Sequence, residues 1–290
     1  MAKATHQSTI HPTAIIEPGA KIGSNVTIEA YAVIKGTVTI EDNVTIKSHV
    51  YLDGHTTIGA GTTIWPGASI GTKTQDLKFR GEKTFVIIGK NCEIREYVTI
   101  NSSCQENSVV RVGDQCLIMA YCHIAHNCEV GNRVILANAV NLAGHVVIED
   151  YAIIGGMTAV HQFTRIGCYA MVGGFSRVTH DVPPYTIGAG SPYKLGGLNL
   201  VGLKRHGFPI TVRKDLTRAF KITYRTGLRL KEALELIQRE IEPNLYIQHW
   251  LQFCRASRRG LIGFQGITRG GESFEDLDEL EEELLQEELT

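Results

Sequence analysis

The chain has 290 residues, of which 43% are hydrophobic, and it contains 30 glycines but only 8 prolines. This composition indicates a turn-rich globular protein with a substantial core and argues against a disordered chain. No stretch of about 18 or more apolar residues is present, and the N-terminus lacks the apolar segment of a secretory signal. We therefore expect a cytoplasmic protein without a membrane span.

Charge and cysteine content add two constraints. Residues 272–290 contain ten acids and no base, whereas the rest of the chain carries 29 bases and 20 acids. A basic body suits an acidic or phosphorylated partner, although an ordinary mixed surface has the same composition. The seven cysteines form no C-x-x-C pair, and their odd number argues against a disulfide framework. Because Cys92, Cys116, Cys122 and Cys128 share one phase of the repeat described next, we interpret them as small core residues.

An aliphatic residue recurs at every sixth position, from Ile10 to Ile70, from Ile88 to Ile100 and from Val112 to Val178. All 26 of these positions are Ile, Leu or Val. A small residue usually lies two positions earlier, so both side chains point to one side of a short strand. Gly, Asn or Asp in the remaining positions permits a tight corner.

Each six-residue unit thus predicts one short strand and one turn. Three units close a triangular coil of about 18 residues, and coils stack about 4.8 Å apart with the aliphatic side chains inside. The predicted fold class is mainly β: a left-handed parallel β-helix of hexapeptide repeats over residues 8–183, with a C-terminal α-helical domain.

Two segments that lack the repeat, about 71–87 and 101–111, predict protruding loops, which often carry function. The first contains Asp76, Lys78 and Arg80 and is interpreted as a lid, an arm to a neighbouring subunit, or a tolerated insertion.

Beyond the repeat, residues 184–208 are expected to form an irregular connector. Residues 209–262 predict an α-helical domain, with two helices over 209–241 broken near Gly227 and a short helix over Tyr246–Ser257. Residues 263–290 predict a flexible acidic tail. A basic cluster lies around the first helices: Lys204, Arg205, His206, Arg213, Lys214, Arg218, Lys221, Arg225, Arg229 and Lys231.

Counting residues in periods of 18 predicts which histidines meet. His126, His145 and His161 fall within one position of each other, so we expect them on one corner in three successive coils. Gly144 and Gln162 share this corner.

His123 falls on the adjoining strand and is expected to point outward. Four histidines on one edge favour acid–base chemistry, because imidazole titrates near neutral pH. Zinc bonds to nitrogen are about 2.0–2.1 Å long, whereas His126 and His161 are separated by about 10 Å along the axis. One chain cannot easily bring the three corner histidines onto one ion, although a zinc site shared between subunits stays an alternative.

The repeat, together with HIAHNCEVGN, LAGHV, IIGGMTAVHQF, MVGG, DVPPY and GLKRHGF, resembles the UDP-N-acetylglucosamine O-acyltransferases that begin lipid A biosynthesis. The resemblance covers about residues 8–262, including QDLK in the first loop. It implies a cytoplasmic homotrimer that transfers an (R)-3-hydroxyacyl chain from acyl carrier protein to the 3-hydroxyl of UDP-N-acetylglucosamine. The donor chain is carried on the phosphopantetheine arm of the carrier protein. No metal, other cofactor or nucleic-acid partner is expected.

The resemblance also implies roles for individual residues. His126 is the expected general base, and the backbone N–H of Gly144 is the expected oxyanion donor. Gly174 matches the position that limits acyl length and leaves room for a chain of about 14 carbons. The expected substrate-binding residues are Asp76, Lys78, His123, His145, His161, Gln162, Asn199 and Arg205.

Three positions depart from the family pattern: Asn127 replaces an Asp after the base, His206 replaces a second Arg, and Val201 replaces an acid. They put in doubt a carboxylate orienter for His126 and one phosphate contact. The alternatives considered are a related hexapeptide N-acyltransferase, a metal-dependent lyase of the carbonic anhydrase type and an inert trimeric scaffold. The N-acyltransferases usually carry a large N-terminal domain, whereas the repeat here begins at Ile10.

Overall fold

The computed structural model describes residues 8–263 and consists of a three-sided parallel β-helix followed by four helices. The strands are β1 Thr9–Ile10, β2 Ile15–Ile16, β3 Lys21–Ile22, β4 Thr27–Ile28, β5 Val33–Ile34, β6 Thr39–Ile40, β7 Thr45–Ile46, β8 Tyr51–Leu52, β9 His55–Ile58, β10 Thr63–Ile64, β11 Ser69–Thr72, β12 Phe85–Ile88, β13 Glu93–Ile94, β14 Thr99–Asn101, β15 Val109–Val112, β16 Leu117–Ile118, β17 His123–Ile124, β18 Glu129–Val130, β19 Ile135–Leu136, β20 Asn141–Leu142, β21 Val147–Ile148, β22 Ile153–Ile154, β23 Ala159–Val160, β24 Arg165–Ile166, β25 Met171–Val172, β26 Arg177–Val178, β27 Thr186–Ala189 and β28 Lys194–Leu198. The helices are α1 Leu200–Arg205, α2 Ile210–Arg225, α3 Leu230–Glu240 and α4 Leu245–Arg255.

Every third strand belongs to the same sheet. Sheet 1 begins β1-β4-β7 and ends β25-β27-β28, sheet 2 runs from β2 to β26, and sheet 3 runs from β3 to β24. Thr27 pairs with Thr45 and Leu117 with Ile135, so a coil without insertion contains 18 residues. The hexad interpretation of the β-helix is therefore confirmed.

The aliphatic positions fill the interior, and Cys92, Cys116, Cys122 and Cys128 are buried among them as expected. Ile10 is an exception at 46% exposure. It belongs to the first coil, which has no described coil beneath it to cover its side chain.

Two departures from the predicted boundaries matter for the site. The strands extend into both predicted loops, so the loops are shorter, at 73–84 and 102–108. The segment expected to be irregular, 184–208, instead contains β27, β28 and α1. β27 continues sheet 1, and β28 pairs with it in antiparallel fashion. This hairpin has no hexad period, so the repeat could not predict it.

The three predicted helices are present as α2, α3 and α4, and α2 and α3 are separated near Gly227. The buried side chains of Phe220 on α2 and Trp250 on α4 form the centre of the helical domain. The carboxylate of Asp181, which is 1% exposed, accepts hydrogen bonds from the Arg165 N–H and the Ser257 hydroxyl. These contacts fix the domain to the last coils of the β-helix.

The predicted basic cluster is not one exposed surface. Arg213 is fully buried, and Arg218, Arg229 and Lys231 pair with Glu240, Glu232 and Glu235. Lys204, Arg205 and Lys214 remain exposed. The acidic tail lies outside the described residues, apart from Gly263. Within residues 8–263, no helix has the length and apolarity that a membrane crossing needs.

Candidate active site

Both loops and the three histidines His126, His145 and His161 lie at the corner where the chain passes from sheet 2 to sheet 3. We call this the histidine corner. The loops 73–84 and 102–108 join β11 to β12 and β14 to β15 at this corner. One coil further on, the turn between β17 and β18 carries His126 and Asn127. Because strands of one sheet are stacked in register, the loop side chains lie directly beside the His126 ring.

The two ring nitrogens of His126 have different surroundings. Nδ1 lies 3.1 Å from Oδ1 of Asn127 and 3.4 Å from Sγ of Cys104. Sγ of Cys104 in turn lies 2.9 Å from Oδ1 of Asn127. An amide oxygen can only accept, so Nδ1 carries the proton and Nε2 keeps its lone pair in the neutral ring. Nε2 points toward Asp76, with 3.8 Å to Oδ2.

Asp76 is held as a carboxylate. Its Oδ1 accepts a hydrogen bond from the Lys78 N–H at 2.8 Å. This bond, opposed by burial and assisted by His126, lowers the pKa of the Asp76 carboxyl. Asp76 therefore supplies the negative charge that Asn127 cannot, but from the Nε2 side of the ring.

Cys104 is a thiol rather than a thiolate at neutral pH. Burial and the neighbouring Asp76 carboxylate both raise its pKa. A neutral thiol is a weak nucleophile. The Sγ atom contacts Nδ1 of His126 and Oδ1 of Asn127.

Gly144 lies directly against the His126 ring. A Cβ added at Gly144 would come within 2.3 Å of Cε1 and 2.4 Å of Nε2. Among the described residues, the Gly144 N–H donates to no other group. Glycine at this position thus leaves room for the His126 ring, and its backbone N–H has no hydrogen-bond partner among the described residues.

The other predicted histidines surround His126 unequally. The His145 ring contacts His126 edge-on at 5.2 Å and stacks on Phe163 at 4.6 Å. Burial, followed by the charge of His126, lowers the pKa of His145. Nδ1 of His123 lies 2.7 Å from Oγ1 of Thr99, and burial lowers its pKa as well. Both rings are therefore neutral at pH 7.

His161 and Gln162 occupy the next coil of the same corner, where His161 is exposed and bonds the Gln162 carbonyl. Lys78 is exposed in the first loop. Gly174 is exposed on a different corner, between sheets 1 and 2, where an added Cβ would meet only Gly156.

Asn199 and Arg205 lie away from His126 in this chain. The Asn199 side chain caps α1 through the Gly202 N–H and donates to the Tyr169 carbonyl at 3.0 Å. Tyr169 lies on the third corner, between sheets 3 and 1. Arg205 ends α1 and is exposed. A single chain thus does not bring these two residues to the histidine corner.

The sequence interpretation missed Cys104, Thr99 and Phe163. The period of 18 residues was counted only from the end of the second loop. With the residues inserted in that loop subtracted, the same count places residues 102–104 beside His126.

Sγ of Cys104 and the ring nitrogens of His126 and His145 lie within 4.8 Å of one another, so this group could hold a metal ion.

Comparisons with known proteins identify the family of this chain. Residues 181–262 match the family model for UDP N-acetylglucosamine O-acyltransferase, domain 2, and residues 37–72 and 110–144 match the bacterial transferase hexapeptide model. An acyl-[acyl-carrier-protein]–UDP-N-acetylglucosamine O-acyltransferase of Chlamydia caviae is 55% identical, covering 97% of this chain and 98% of its own. The Chlamydia muridarum protein of the same name is 52% identical, with 94% and 95% covered.

Solved structures give the same result. A UDP-N-acetylglucosamine acyltransferase from Bacteroides fragilis matches with a TM-score of 0.85 at 39% identity, covering 88% of this chain and all of that one. The Francisella novicida enzyme gives 0.86 at 35% identity, with 92% and 99% covered. The chain is an acyltransferase and belongs to the acyl-[acyl-carrier-protein]–UDP-N-acetylglucosamine O-acyltransferase family.

Proposed function

We propose that this protein transfers an (R)-3-hydroxyacyl chain from acyl carrier protein to the 3-hydroxyl of UDP-N-acetylglucosamine, the first step of lipid A biosynthesis. The observation that carries the proposal is one arrangement at the histidine corner. Nε2 of His126 faces Asp76 without a hydrogen bond to it, and the ring lies beside Gly144, whose N–H has no partner among the described residues. The relatives' names specify O-transfer, which favours this reaction over the N-acyltransferase alternative.

His126 acts as the general base. Asn127 accepts from Nδ1–H, so Nε2 removes the proton of the sugar hydroxyl as that oxygen attacks the thioester carbon. The ring becomes an imidazolium, and the ionised Asp76 carboxylate, 3.8 Å from Nε2, stabilises that charge. Nε2 and Oδ2 are too far apart for a direct hydrogen bond, so the Nε2 lone pair stays available to a substrate hydroxyl that approaches beside the pair.

Attack on the thioester carbon gives a tetrahedral intermediate with a negatively charged oxygen. The Gly144 N–H donates to this oxygen, because it has no partner in the described protein. Collapse breaks the carbon–sulfur bond. The phosphopantetheine sulfur leaves as a thiolate and takes the proton from His126, which restores the neutral base.

Transfer is direct. Cys104 beside His126 has the residue types of a nucleophilic pair, but its raised pKa keeps it protonated. Incubation with acyl carrier substrate in the absence of the sugar should therefore leave the intact mass of the denatured protein unchanged. An acyl adduct on Cys104 would contradict direct transfer.

The active site is completed by a neighbouring subunit of a homotrimer. In support, the corner between sheets 1 and 2 exposes a column of large apolar side chains that extends along the β-helix: Tyr31, Tyr97, Tyr121, Met157 and Phe175. Contiguous apolar surface of this kind is typical of an interface. Asn199 and Arg205, on the third corner, would then approach the nucleotide at another subunit's histidine corner.

The remaining binding roles follow from position. Asp76, Lys78, His123 and His145 contact the sugar or the donor's pantetheine near the base, and Gln162 and His161 extend this surface by one coil. Gly174 sets the acyl length from the apolar corner. With soluble carrier-protein and nucleotide substrates, the expected location is the cytoplasm.

The test combines UDP-N-acetylglucosamine and (R)-3-hydroxyacyl carrier protein with the purified protein, followed by identification of a 3-O-acyl product. His126→Ala should lower turnover by about 10²–10⁴-fold. His11→Ala is the matched control, because His11 is exposed in the first coil and, among the described residues, its side chain bonds only Thr13. Equal turnover of the two variants would overturn the assigned base.

A further inference from the structure

A second cluster of metal-ligand type lies on the third corner, separate from the histidine corner. It is formed by Glu149 after β21, Cys168 after β24, and His249 on α4. One carboxylate oxygen, Sγ and one imidazole nitrogen all lie within 4.8 Å of one another. Three segments that are far apart in sequence thus direct three different ligand types to one point.

The local contacts hold the ligand atoms in place. Oε2 of Glu149 accepts from the Cys168 N–H at 3.0 Å and lies 2.7 Å from Nε2 of His249. Oε1 of the same carboxylate is bound by Arg165 at 3.3 Å. A ligating carboxylate usually has such an outer partner on its second oxygen. The Tyr185 ring lies edge-on to His249 at 6.1 Å and covers one side.

We propose that Glu149, Cys168 and His249 form a zinc site that fastens the helical domain to the β-helix. Thiolate, imidazole and carboxylate together favour Zn²⁺ over Mg²⁺ or Ca²⁺, which take oxygen ligands. Three protein ligands leave a fourth position for water, and the side chains of His249 and Glu149, which are 33% and 21% exposed, leave solvent access.

The geometry requires a small adjustment. Two ligands at about 2.0–2.1 Å from a tetrahedral zinc are about 3.3 Å apart, whereas Nε2 and Oε2 are now 2.7 Å apart. Nε2 and Oε2 therefore have to move apart by about 0.6 Å, which a rotation of the His249 side chain can supply. Zinc binding also releases the Cys168 thiol proton and the proton that His249 shares with Glu149, so affinity should fall as pH falls.

The experiment uses the full chain, freed of metal with a chelator and then titrated with Zn²⁺ alone. We expect one zinc per chain, a higher melting temperature, and, with Co²⁺ as the probe, a sulfur-to-cobalt charge-transfer band. Cys168→Ser should abolish the band, and His249→Gln, which keeps a hydrogen bond to Glu149, should weaken binding by at least tenfold.

Cys104→Ser is the matched control, because Cys104 belongs to the other possible metal group. Circular dichroism confirms that each variant is folded. The proposal is overturned if zinc causes no melting shift, in which case the cluster is a hydrogen-bonded ion pair only. It is also overturned if the cobalt band survives Cys168→Ser and disappears in Cys104→Ser. Neither result depends on transferase activity.

Discussion

Gly144→Ala is the substitution that most directly tests how the base is positioned. The added Cβ would lie 2.3 Å from Cε1 of His126 and 2.4 Å from Nε2, and its three nearest atoms all belong to this ring. Ordinary carbon contacts are about 3.5–4.0 Å, so the ring has to move by more than about 1 Å. A displacement of that size at a reacting group costs about 100-fold in rate. We therefore expect a fall of about 100-fold in kcat.

The fold should tolerate this change. Gly144 does not adopt a positive φ, and the clash is with a side chain rather than backbone. An added group in a packed site costs about 1–3 kcal/mol of stability when the surrounding atoms cannot move. Removal of the His126 ring should recover the stability that the clash costs. Gly144→Ala should therefore lower the free energy of unfolding less when it is introduced into His126→Ala than when it is introduced into the wild-type protein.

The assay measures kcat by product formation at saturating UDP-N-acetylglucosamine and acyl carrier substrate, and denaturant unfolding measures stability. Retention of kcat within threefold of wild type in Gly144→Ala would refute the assigned ring position. A stability loss that is unchanged by removal of the ring would place the clash elsewhere.

Three further predictions concern Asp76, Gly174 and His249. Asp76→Asn keeps hydrogen bonding but removes the charge that stabilises the imidazolium, so kcat should fall about 10–100-fold; an unchanged kcat would exclude this role. Gly174→Met adds a long side chain at an exposed position where the added Cβ would contact only Gly156, so the preferred acyl chain in a length series should become shorter. An unchanged preference would remove Gly174 as the determinant. Hydrogen bonds with Cys168 and Glu149 raise the pKa of His249 to about 10, against about 6.5 when unfolded. This stabilisation is complete below about pH 6.5 and is lost as pH rises through 10. In the presence of a chelator, the wild-type protein should therefore lose more stability between pH 7 and pH 10.5 than His249→Gln does. Equal losses would contradict the raised pKa of His249.

The repeat made most of the fold predictable. One hydrophobic position per six residues determines strand, turn and interior together, so β1 to β26 followed from periodicity. The β27–β28 hairpin did not follow, because its antiparallel pairing depends on contacts with the last coil and not on a period. The burial of Arg213 was not predictable, because helical spacing alone does not show which members of the basic cluster lie inside the helical domain.

The site was predictable where the period is unbroken. Counting alone brought Gly144 and His145 to His126, and the structure places both against its ring. Asp76 was suggested only by family resemblance and Cys104 was missed, because both lie in insertions whose path is not set by the repeat. The structure also shows where Asn127 lies: its Oδ1 contacts Nδ1 of His126. The negative charge lies on Asp76, on the Nε2 side of the ring.

The central claim is that Nε2 of His126 removes the proton of the attacking hydroxyl. The most direct measurement is the single-turnover rate of acyl transfer by His126→Gln with both substrates saturating. We expect a rate at least about 100-fold below that of wild type, with substrate binding retained. A single-turnover rate within threefold of wild type would contradict this claim.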